Sequence, residues 1–128
     1  MWPIIVLMRG VTTLRFVFYR KRTLGFASRI HRADHFQRHR RRLGIPPGLL
    51  YEVIYEKMAD VFIGNPLGPR SDEFSRRWNG DVVRYDKKAD VFAIKTTRAV
   101  IKTYYRPDPA VHGLPTNWDY YLSEKAKA

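Results

Sequence analysis

The sequence predicts an α+β domain in which N-terminal helices pack on one face of a C-terminal antiparallel sheet. Three observations predict it. Helical character dominates between Ser28 and Gly64, strand character takes over after Asn79, and the strand-like runs are joined by turns too short for parallel crossovers. With 128 residues the chain suits one core. Its 45% apolar and 14% aromatic content exceeds what a disordered tail carries.

Residues 1–25 fit either a linker or an added strand, Leu14 to Tyr19, and the domain proper is expected over 26–128. Ile4 to Met8 is too short for a membrane span and lacks the basic flank of a signal peptide. A cytoplasmic location is expected. From Ser28, a good N-cap, Arg29 to Leu43 lacks Gly and Pro and stops at Gly44, so a basic helix is predicted there. After Pro46-Pro47-Gly48 a second helix is expected, with Leu50, Ile54, Met58, Val61 and Phe62 as its core face. Residues 64–72 read as a loop.

Asn79-Gly80 is the favoured type I′ hairpin dipeptide, and Asp81–Tyr85, Val91–Thr96 and Ala99–Tyr105 follow as strands of a meander. Alternation puts Ile101, Thr103 and Tyr105 on one sheet face and Val100, Lys102 and Tyr104 on the other. With the helices on one face, the other is expected to be open for binding. Residues 107–122, with three prolines and no clear period, are expected to cross the sheet edge as an ordered loop anchored by Trp118, Tyr120 and Tyr121.

Twenty-four Lys and Arg against twelve Asp and Glu give a formal charge of +12, which attracts polyanions. The excess is concentrated: residues 1–50 hold eleven basic residues against the single acid Asp34. The absence of cysteine excludes a disulfide framework and a thiolate zinc site.

His31, His35 and His39 recur every fourth residue on one helix face. Two of them could chelate a metal, yet no HExxH glutamate accompanies them, so general acid-base chemistry is the sharper reading. Metal-free RNA cleavage needs a base for the 2′-hydroxyl, an acid for the departing 5′-oxygen, and cations for the phosphorane charge. The histidines supply the first two functions, and Arg84, Lys95, Lys102 and Arg106 are strand cations for the third. Tyr85, Tyr104 and Tyr105 offer rings for base stacking, though strand aromatics also build cores.

The run Asp34-His35-Phe36-Gln37-Arg38-His39, the following helix, Asn79 to Asp86, Ile101 to Pro107 and Pro109-Ala110-Val111-His112-Gly113 together resemble the C-terminal toxin domains of bacterial polymorphic and contact-dependent inhibition systems. Those domains belong to the barnase, EndoU, colicin and RelE-like (BECR) ribonuclease superfamily, and the resemblance spans about residues 30–122. It implies an endoribonuclease toxin, often acting on tRNA, needing no metal or other cofactor and neutralised by an immunity protein, here expected to be acidic. It implies His35 or His39 as acid/base, Arg84 and Lys102 as phosphate stabilisers and Thr103 as a hydrogen-bond donor to the scissile phosphate. Arg38, Tyr85, Lys95, Tyr105 and Arg106 are expected to contact the substrate, and His112 to order the C-terminal loop. Arg40, Arg41 and Arg42 depart from the family, whose members commonly have Gly after the second histidine. The competing expectation is a non-catalytic basic RNA- or DNA-binding module, for which charge alone suffices.

Overall fold

A computed structural model describes residues 2–7, 14–64 and 72–127, with side chains from Tyr19 onward. Ten elements follow one another: β1 (Trp2–Leu7), β2 (Leu14–Tyr19), α1 (Arg29–His39), α2 (Leu49–Ile63), β3 (Phe74–Arg76), β4 (Val82–Asp86), β5 (Val91–Lys95), β6 (Ile101–Tyr105), α3 (Pro109–His112) and α4 (Asn117–Lys125). The fold is α+β. Strands β3 to β6 form an antiparallel meander in sequence order, while β1 and β2 pair separately as an antiparallel ribbon. Of the two alternatives for residues 1–25, the strand at Leu14–Tyr19 is present, and β3 is an edge strand not anticipated. Most of the loop expected at 64–72 lies outside the described residues. Among the described residues, no helix is long and apolar enough to cross a membrane.

Tertiary contacts reach back before residue 26. The buried Asp60 carboxylate of α2 accepts from the Tyr19 hydroxyl, the Thr23 hydroxyl, the Arg22 N–H at 2.9 Å and the Thr23 N–H at 2.7 Å. Beyond this clamp the chain runs beside β6, where Leu24 N–H and Ile101 N–H bond to Ala99 O and Gly25 O. Helix α1 begins where expected, with the Ser28 hydroxyl accepting from His31 N–H. Its regular part ends at His39, and the chain unwinds through a Schellman closure: Gly44 N–H to Arg41 O and Ile45 N–H to Arg40 O, with Gly44 at φ +71°.

Helix α2 packs Tyr55, Ala59 and Ile63 against the sheet, one residue out of phase with the predicted stripe. Leu50 is 68% exposed, and Ile54, Met58 and Phe62 instead line an apolar groove of about 970 Å³ beside the sheet. Because apolar residues of α2 recur on two adjoining faces, periodicity could not choose between them. Tyr55 decides it by placing its hydroxyl on Tyr104 O.

The Asn79-Gly80 turn is not type I′. Gly80 N–H bonds Arg77 O and Arg77 N–H bonds Asp81 O, enclosing Trp78, Asn79 and Gly80 in a three-residue loop with Gly80 at φ +91°. That is a type I turn closed by a glycine bulge, in which Asn79 keeps negative φ. A second irregularity, between Ile94 and Lys95 opposite β6, breaks the expected alternation. Ile101 joins Tyr104 in the helix-side core instead of sharing a face with Thr103 and Tyr105.

The second sheet face is not open. Val83, Tyr85, Phe92 and Ile94 are buried there against Tyr121 of α4, with Trp118 and Tyr120 packed around them. The prolines that suggested a loop start helices: Pro109 lies in the first turn of α3 behind the Asp108 cap, and Thr116, just after Pro115, caps α4.

Candidate active site

Helix α1 crosses the sheet at its β6 edge, anchored by the fully buried Phe36 and by Arg32, which pairs with Glu52 at 3.0 Å and Glu56 at 3.5 Å on α2. This brings the histidine face of α1 to the rim of the sheet. A cleft of about 340 Å³ opens there between α1, β6 and the α3–α4 segment. His35, Arg38, His39, Thr103 and Tyr105 line one side of its chemistry, and His112, Tyr120 and Glu124 come from the C-terminal segment.

The two α1 histidines differ in what holds them. His35 is buried and engaged at both nitrogens: Nε2 lies 2.8 Å from His31 Nε2, and Nδ1 lies 3.3 Å from the Thr103 hydroxyl. His39 stacks on Tyr105 with ring centres 4.6 Å apart, and neither of its ring nitrogens hydrogen-bonds another described residue. Burial, followed by the neighbouring imidazole, pushes the pKa of each down to about 4, so both rings are neutral near pH 7. A neutral imidazole with an unengaged nitrogen in an open cleft can accept a proton. Arg38 is the cation on this wall, exposed and paired with Asp34 one turn back.

Beneath His39 runs a chain of hydroxyls. The Tyr105 and Tyr120 hydroxyls bond each other, and Tyr120 donates to Glu124 Oε1 at 2.8 Å. Glu124 Oε2 takes Lys127 at 2.7 Å and Arg77 at 3.2 Å; burial opposes ionisation, but Lys127, the Tyr120 hydroxyl and Arg77 outweigh it and hold the carboxyl below the usual range. Across the cleft His112 stacks on Tyr120 at 4.6 Å, and its ring bonds Asn117 Oδ1 at 2.9 Å and Leu114 N–H at 3.1 Å. His112 therefore orders the α3–α4 connection, as expected, and also walls the cleft.

The other predicted residues lie elsewhere. Arg84 is on the helix side of the sheet, sandwiched between Phe62 and Phe74 and bonded to Phe62 O at 2.8 Å and Glu73 at 3.1 Å. Lys95 pairs in register with Val82 near the strand ends, outside the cleft. Tyr85 is core, its hydroxyl bonded to Asp90 at 2.7 Å. Arg106 ties the ends of two connections together through Asp90 O, Ala89 O and Arg42 O. Lys102 does not line the cleft. It pairs with Asp81 at 3.0 Å, and Asp81 in turn neighbours Arg77, so it connects to Glu124 only through ion pairs. Of the ten predicted residues, the fold gathers Arg38, His35, His39, Thr103 and Tyr105.

The sequence reading missed Tyr120 and Glu124 as site residues. They share a face of α4, a helix whose start just after Pro115 is not apparent from the local sequence. Among the described residues, no group of three His, Cys, Asp or Glu side chains is placed to hold a metal ion. No protein-family model matches the chain, and neither does any curated protein.

Proposed function

We propose that this protein is a metal-independent endoribonuclease that acts as a toxin, with His39 as its proton acceptor. The observation that carries the reading is His39 itself: an imidazole held neutral, with unengaged nitrogens, in a cleft shared with the Thr103 hydroxyl and the Arg38 guanidinium. The net charge of +12 supplies the attraction for a polyanionic substrate.

In the proposed reaction His39 takes the proton of a ribose 2′-hydroxyl, the freed oxygen attacks the adjoining phosphorus, and the bond from phosphorus to the 5′-oxygen breaks. The departing oxygen takes a proton from water, the hydroxide so formed takes the proton back from the His39 imidazolium, and the products are a 2′,3′-cyclic phosphate and a 5′-hydroxyl with His39 again neutral. Negative charge gathering on the phosphorane stabilises the newly formed imidazolium and is met by Arg38 and the Thr103 hydroxyl. His35, with both nitrogens engaged, orients Thr103 and does not exchange protons. Arg84 has no part in this scheme. The resemblance to the toxin domains suggests tRNA as the substrate and an acidic immunity protein as the partner. Electrostatic complementarity would favour such a partner on the basic N-terminal half.

The test is incubation with total bacterial RNA in EDTA. Discrete fragments ending in 2′,3′-cyclic phosphate are expected, and a substrate with 2′-deoxyribose at the cut nucleotide should resist. Cleavage of the deoxy substrate at the same bond would refute 2′-hydroxyl attack.

A further inference from the structure

The turn between β3 and β4 carries Trp78 at its apex, 94% exposed and without a ring or cation contact among the described residues. One exposed apolar side chain means little by itself, since such residues are common on surfaces. Its setting here is unusual in two ways.

First, the turn is rigid. The type I turn and glycine bulge fix the backbone, and Asn79 Oδ1 accepts from Asp81 N–H at 2.9 Å. The buried Arg77 side chain bonds Glu124 O at 2.8 Å and pairs with both Glu124 and Asp81. Gly80 presses on the next turn so closely that an added Cβ would lie 2.3 Å from Thr97 Cγ2. The indole is thus presented by a fixed backbone with little conformational freedom to lose on binding.

Second, the surroundings are cationic. Arg76 precedes the turn, is exposed, and reaches Gly80 O at 3.4 Å. Arg98 follows Thr97, against which Gly80 packs, and is exposed. Lys102, 47% exposed at its side chain, reaches Asp81 at the foot of the turn. Asp81, the carboxylate at the foot of the turn, is buried and paired with Lys102 and Arg77. A rigid aromatic side chain on a turn with cations at its base fits the flat π-face and flanking phosphates of an unpaired nucleotide.

We infer that Trp78 is a stacking platform for an unpaired nucleobase of single-stranded nucleic acid, with Arg76, Arg98 and Lys102 contacting the adjoining phosphates. The inference rests on the nucleic-acid part of the proposed function and not on cleavage. It also gives Lys102 a role away from the scissile bond.

The test uses a short, dye-labelled 2′-O-methyl oligouridine, which has no 2′-hydroxyl to attack and survives a nuclease of the proposed kind. Dye anisotropy reports total binding, and indole emission reports contact with Trp78. Expected are quenching of the wild-type emission, loss of most of that quenching in Trp78→Phe, and about tenfold weaker binding by Trp78→Ala. Trp78 is 94% exposed among the described residues, so neither variant should lose its fold. Binding with unchanged affinity in Trp78→Ala and unchanged quenching in Trp78→Phe would overturn the inference while leaving the nucleic-acid reading intact. No anisotropy change at low salt would overturn both.

Discussion

His35 and His39 are one helical turn apart, yet their surroundings assign them different work. Both have their pKa pushed down to about 4, first by burial and then by a neighbouring imidazole. For His39 this means that the base form is present in the free protein at any pH well above 4. The acid limb of kcat/KM for RNA cleavage is therefore expected near pH 4, well below the unperturbed histidine value of about 6.5. A limb at 6.5 would show that His39 is more solvated than the structure has it. The same shift bears on stability. Above about pH 6.5 the imidazoles are neutral in the folded and unfolded chains alike. Between about 6.5 and 4 the unfolded chain binds protons that the folded chain refuses, so stability falls through that window as pH is lowered. Thermal melts should show Tm declining across it, with a shallower decline in His35→Gln. Equal slopes for the two proteins would contradict the assignment. Asp60 presents the opposite case: burial opposes its ionisation, but the hydrogen bonds from Thr23, Tyr19 and the backbone outweigh it and hold its carboxyl low. Asp60→Ala strands several buried donors and should cost about 3 kcal/mol in denaturant unfolding. A loss within ±0.5 kcal/mol would show that the clamp on residues 19–23 is not formed in solution.

At the scale of elements, much was legible. The Ser28 cap and the meander follow from local chemistry acting within a few residues, and the structure has both, whereas α1 ends at His39, short of the expected Leu43, and Gly44 closes the turn after it. What was not legible depends on neighbours distant in sequence. The face of α2 is chosen by Tyr55 meeting Tyr104 across 49 positions, and the fate of Arg84 by Phe62, Phe74 and Glu73. Alternation failed in β6 because a bulge, invisible to a period-two count, resets the faces. Helix α4 was hidden by prolines that start helices as readily as they break them. Its packing role gives a direct test: Tyr121 is fully buried against β4 and β5, and Tyr121→Ala should cost about 3 kcal/mol. Near-neutral stability would mean that α4 does not cover the sheet. The β5–β6 turn offers a gain instead. Ala99 sits at φ +61°, where a Cβ is strained, and Ala99→Gly should stabilise by about 0.5–1 kcal/mol in the same assay.

For the whole molecule, charge and topology act together. Eleven of the basic residues precede Leu50, and α1, which belongs to that half, forms one wall of the cleft. RNA affinity should accordingly fall steeply with added salt, and a flat response would count against any nucleic-acid substrate. Within the candidate site, the histidine spacing is legible because it lies on one regular helix, whereas Thr103 is implied by the resemblance to the toxin domains. The far wall, from His112 to Glu124, is not legible, since only the folded α3–α4 segment brings it across. The central claim concerns one side chain in that cleft. The most direct measurement compares wild type with His39→Gln in EDTA, scoring RNA cleavage and, on a 2′-O-methyl oligonucleotide, affinity. The predicted result is a loss of cleavage of about 10²-fold or more with affinity changed by no more than about twofold. Cleavage by His39→Gln at the wild-type rate, or no cleavage by a wild-type protein that binds, would contradict it.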